Sequence, residues 1–181
     1  MGVNLFVEGN PTPVVITIKL IRPVGSFKEL NDVVKALSAV DSILSKEWPK
    51  IWQDFYPRQR RDVHLLSFRV ASPPEFNILA DPAWLAVFIT VIAGYKNIKE
   101  NIREIGTDAK DIFRGIKGLT ERELELLEIA VRLTLARIAE MGEQQALQVA
   151  NKLRKARIAL LDESEQPPEI KVINVDKDRW W

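Results

Sequence analysis

Residues 81–95 read DPAWLAVFITVIAGY, and how this stretch is covered decides the architecture. Asp81 and Pro82 mark a helix start: an acidic side chain suited to the N-cap, then a proline whose missing N–H is no loss in the first turn. Residues 83–95 carry no charge, and only Thr90 and Gly94 dilute their apolar content. A helix apolar on every side cannot lie on a domain surface and must be enclosed by protein or lipid. Burying Trp84, Leu85, Val87, Phe88, Ile89, Val91 and Ile92 contributes roughly 1.5–3 kcal/mol each, or about 10–20 kcal/mol together. That is comparable to the net stability of a whole domain, so the helix cannot stay half wet. The expectation is that the chain's own elements cover part of it and that Trp84, Phe88 and Ile92 meet a protein partner or a second copy. The alternative is a membrane-acting effector whose helix 82–95 inserts into a bilayer. The uncharged run is shorter than the ~20 residues needed to cross one, which favours a protein covering.

Upstream, residues 14–21 alternate, with Val14, Ile16, Ile18 and Leu20 on one face and Val15, Thr17, Lys19 and Ile21 on the other, as in a strand. Ser26 and Glu29 then match a capping box, and Leu30, Val33, Val34, Leu37, Val40, Ile43, Leu44 and Trp48 follow at helical spacing up to Pro49. A second strand spans 64–70, with His64, Leu66, Phe68 and Val70 on its apolar face, and a short one covers 76–80. The run LLSFRVASPPEFNIL at 65–79, followed by the apolar helix at 84–95, resembles a group of small uncharacterised bacterial proteins. That resemblance implies a bacterial source and an α/β-then-helix layout, and it assigns no activity and no site residue.

Downstream, Ile98, Ile102 and Ile105 prolong the central helix to Gly106, and Ile112, Phe113 and Ile116 mark a short amphipathic piece. Thr120 and Glu123 form a second capping box. Leu124, Leu127, Val131, Leu135, Ile138 and Met141 make one stripe, and Ala146, Val149, Leu153, Ala156 and Leu160 make another out of phase with it. Either two helices break near Gly142 or one long helix changes its contact face. Residues 162–169 read as a linker, 170–175 as a weak strand, and Trp180 and Trp181 end the chain. The fold class is α+β: a small N-terminal sheet with one packed helix (1–80), then a helical region on it (81–162), then a linker and tail (163–181).

With 181 residues, 46% of them hydrophobic and 28% charged, the chain suits one domain or a small domain with a helical extension. A net charge of +1 offers no global field toward nucleic acid or an anionic membrane. The lack of cysteine excludes disulfides, thiolate nucleophiles and zinc ribbons. No signal-peptide pattern opens the sequence, so the expected location is cytoplasmic, with membrane association if the apolar helix is released.

The chemistry-bearing inventory is thin. The single histidine, His64, is read as a buried, hydrogen-bonded core or sheet-end residue rather than a catalytic one. No phosphate-binding glycine loop, nucleophile elbow or metalloprotease motif occurs, and no carboxylate pair is spaced for acid–base work. No enzyme activity, cofactor, metal or small-molecule ligand is inferred. Arg58, Arg60 and Arg61 sit beside Trp52, Phe55 and Tyr56, a pairing of cations and aromatics that can hold single-stranded nucleic acid. Trp180 and Trp181 are of the type that anchors protein interfaces. The functional expectation is a non-catalytic protein-interaction or oligomerisation module, an accessory of a bacterial multi-component system. Nucleic-acid binding through Arg58, Arg60 and Arg61 is a further alternative.

Overall fold

The computed structural model of the chain describes residues 14–21, 23–47, 63–69, 73–80, 82–100, 112–161 and 168–174; at 82, 94–100 and 174 it describes backbone alone. In chain order the elements are β1 (Val14–Lys19), α1 (Phe27–Lys46), β2 (His64–Arg69), β3 (Glu75–Ala80), α2 (Pro82–Glu100), β4 (Ile116–Lys117), α3 (Glu121–Glu140), α4 (Glu143–Leu161) and β5 (Glu169–Asn174). The class is α+β.

The sheet has five strands in the order β2-β3-β1-β5-β4. β1 is at its centre because its β-branched residues suit a pleated surface with neighbours on both sides. It runs antiparallel to β3 and to β5. The registers place Ile16 beside Ile78 and Val172, and Ile18 beside Phe76 and Ile170. All six of these side chains are buried, so three strands share one apolar face. The strand expected at 170–175 therefore joins the sheet beside β1, and β4 pairs parallel with it from outside. The sheet is not confined to residues 1–80.

β2 departs from the sequence expectation. A register shift between Leu65 and Ser67 leaves Leu66 as a bulge, which reverses the alternation beyond it. Phe68 then lies beside Phe76, with ring centroids 4.8 Å apart, while His64 lies opposite Leu79 on the other face. His64 is exposed on this outermost strand and is not a core residue. On that same face the Thr17 hydroxyl donates to Asn77 Oδ1 at 2.6 Å, and Asn77 Nδ2 donates to Ser67 Oγ at 2.7 Å. This chain of bonds across β1, β3 and β2 penalises any slip in register.

Every residue of α2 from 83 to 93 is buried. The chain itself supplies the enclosure: α2 packs against α1, α3 and α4, and its side chains join the sheet's apolar face in one continuous core. Thr90, also buried, donates its hydroxyl to the Ala86 carbonyl at 2.7 Å, and Thr134 on α3 does the same to Ala130 at 2.7 Å. Both threonines thus satisfy their polar groups inside their own helices. Arg157 of α4 donates from Nε to the Ile92 carbonyl at 2.8 Å, tying the two helices together. Among the described residues no helix is long and apolar enough to cross a membrane.

Met141 and Gly142 separate α3 from α4, so the two out-of-phase stripes belong to two helices. Each packs more extensively on α2 than on the other. Both predicted caps form. Ser26 Oγ accepts from the Glu29 N–H at 3.2 Å, although Glu29 Oε2 turns to the N–H of Gly25 at 2.7 Å rather than to Ser26. Thr120 and Glu123 make the full reciprocal box. Thr120→Ala is expected to cost about 1 kcal/mol, read as a lowered urea midpoint with unchanged slope. The Asp81 cap and the side chains of the helix extension beyond Ala93 lie outside the described residues.

Candidate interaction surface

Trp84, Phe88 and Ile92 are interior residues of the single chain. Trp84 and Phe88 stack on one another, with centroids 5.4 Å apart and planes 12° from parallel. The Trp84 indole N–H is buried without a hydrogen-bond partner among the described residues. These three residues present nothing to a partner because α1, α3, α4 and the sheet already fill their surroundings. Trp180, Trp181, Arg58, Arg60 and Arg61 lie outside the described residues.

The charged runs of the C-terminal half are divided among structural tasks. Lys152 of α4 pairs with Glu47 at the end of α1 at 2.5 Å, and Arg157 holds the Ile92 carbonyl. Glu123 is buried in its capping box, and Glu128 binds Arg132 at 2.6 Å one turn along α3. Between α1 and α4 an open groove of about 430 Å³ is lined by Ala36, Ala39, Ala156 and Ala159, with Lys35 and Lys155 beside them. The small side chains allow the two helices close approach, and Asp32 and Ile158 complete the lining. Among the described residues no three His, Asp or Glu side chains gather where a metal ion could be held.

The surface that stands out is the outer face of α3. Its inner face carries the expected stripe: Leu127, Val131, Leu135 and Ile138 are fully buried. A second apolar row runs along the opposite side. Ile129 is 51% exposed and Leu133 47%, and the half-buried Leu126 and Ala136 continue the same line. Spacings of three and four residues keep these four on one face of the helix. Arg122 lies in line before them and Glu140 in line after, both exposed.

This row lies outside the single stripe, Leu124 to Met141, that periodicity marks on α3. The available signal was the surplus of apolar residues in 124–138, too many for a single stripe. On the other helices the exposed apolar side chains either are interrupted by polar residues or lack flanking charges of opposite sign. On α4, Leu147 and Ile158 are separated along their face by Asn151 and Arg154. On α1, Phe27 and Val34 share a line with Leu30 and Leu37, but no opposite charges bracket it. No protein-family model, no curated protein and no solved structure matches this chain.

Proposed function

We propose that the chain is a non-catalytic protein-interaction or oligomerisation module, an accessory that acts by docking an apolar helix face onto another protein surface. The observation that supports this is the row Leu126, Ile129, Leu133 and Ala136 on the outside of α3. Among the described residues the core beneath it is complete without these side chains. Large aliphatic side chains half open to water in one continuous row mark a surface that gains by being covered. The 3–4 spacing is that of a helix seam, in which such a row fits between the side chains of a facing helix.

A photoreactive residue placed at position 133 of the full chain, expressed in its native host, tests this reading. The expected result is a discrete covalent adduct on illumination, lost when Ile129→Asp is introduced alongside. Absence of any adduct, with the chain folded and abundant, would overturn it.

A further inference from the structure

We infer that the partner of the α3 face is a second copy of this chain, with the two α3 helices antiparallel about a two-fold axis that crosses the outer face midway between Ile129 and Leu133. This rests on the reading of α3 as a docking face and names its occupant.

The argument comes from the order of the side chains along the row: Arg122, Leu126, Ile129, Leu133, Ala136 and Glu140. Their separations alternate between four and three residues and read the same in either direction. Turning a second α3 end to end therefore sets Leu126 against Ala136 of the partner subunit and Ile129 against Leu133 of the partner subunit. At the ends the same operation sets Arg122 against Glu140 of the partner subunit, and the reverse. A self-complementary patch is what a two-fold interface requires, since each residue meets its counterpart twice. Parallel pairing would instead place Arg122 on Arg122 and Glu140 on Glu140, two like-charge contacts. Neither residue has an ion-pair partner within its own chain among the described residues, so both are available.

The remaining charges agree. In the first half of α3 the exposed acids are Glu121 and Glu125, while Arg132 and Arg137 lie in the second half. Antiparallel pairing brings unlike halves together and opposes the helix dipoles. Arg132 comes near its own symmetry mate, but each copy is bound to its Glu128 at 2.6 Å. A helix of this length spans about 30 Å, and one helix face covers less than the ~800 Å² per partner of a standard stable interface. The dimer is accordingly weak, reversible and dependent on concentration.

Sedimentation equilibrium of the full chain from micromolar to millimolar concentration, combined with single-cysteine variants, decides the matter. The chain has no cysteine of its own, so an introduced thiol reports contact cleanly. The expected result is a monomer–dimer equilibrium that weakens with salt. A mixture of Leu126→Cys and Ala136→Cys proteins forms a disulfide dimer, whereas neither variant does so alone, because identical positions lie about 15 Å apart along the axis. Glu140→Arg raises the dissociation constant roughly tenfold, and adding Arg122→Glu in the same chain restores it. A monomer throughout, species larger than a dimer, cross-linking of either variant alone as readily as the mixture, or indifference to Glu140→Arg would each overturn the pairing. If the photoreactive residue at 133 captures a different protein while the pure chain stays monomeric, self-pairing falls and the docking reading stands. If it captures nothing and the chain is monomeric, both fall.

Discussion

Gly118→Ala is expected to cost about 3–5 kcal/mol, among the largest losses a single methyl group can cause. Gly118 follows β4 with φ at +93°, a conformation that L side chains rarely adopt. Strain alone would cost about 1–3 kcal/mol. The larger effect is steric: a Cβ there would lie 2.0 Å from the Val172 carbonyl oxygen and 3.1 Å from its carbon. Both are backbone atoms of β5, and β5 cannot retreat because Val172 is paired with Ile16 on the central strand. Gly118→Asn separates the two causes. Asparagine tolerates positive φ, yet it meets the same carbonyl, so its loss should match that of alanine. Urea denaturation of the three proteins gives the comparison. A loss under about 1 kcal/mol for either variant would mean that β4 yields freely and that its pairing with β5 contributes little.

Trp84→Ala is expected to remove about 3–5 kcal/mol, because the ring leaves a cavity at the meeting of α2 with its neighbours. Phe88→Ala should cost a similar amount, and the double variant less than the sum, since the two rings stack at 5.4 Å. Against a typical net stability of about 5–15 kcal/mol, either change takes a large share. Trp84→Phe is expected to cost much less. It keeps a ring against Phe88 and deletes a buried N–H with no partner among the described residues, a group whose burial is itself a penalty of about 1–3 kcal/mol. Phe27→Ala serves as the contrast: the side chain is 92% exposed at the start of α1, and its loss should change stability by no more than about 0.5 kcal/mol. Thermal and urea unfolding of these variants measure the series. A Trp84→Ala protein as stable as the parent would mean that the enclosure of α2 is not what holds the fold together.

Much of the architecture is legible in the residues because the signals are local. The alternation of Val14, Ile16 and Ile18, the N-cap at Ser26, the box at Thr120, and the unbroken apolar run of α2 each follow from chain geometry within a few residues. The strand at β2 is legible but the facing of its side chains is not, because its bulge at Leu66 depends on what β3 offers across the ladder, and a period-two pattern has no means of announcing an inserted residue. The candidate surface was legible only in part. Trp84, Phe88 and Ile92 have the side chains of interface anchors, but composition does not distinguish a residue covered by its own chain from one covered by another. The exposed row on α3 went unseen because Ile129 and Leu133 differ in no way from core residues until the inner face is known to be filled by Leu127, Val131, Leu135 and Ile138.

The sequence by itself determined that residues 83–95 call for a helix needing cover on all sides, since hydrophobic burial scales with apolar area and that area is written in the side chains. Tertiary structure alone decided what covers it. α1, α3 and α4 close around α2, and β5 returns from the far end of the described chain to pair with β1. These choices rest on contacts between residues distant in sequence, where direction, register and shape select among partners that are equally apolar.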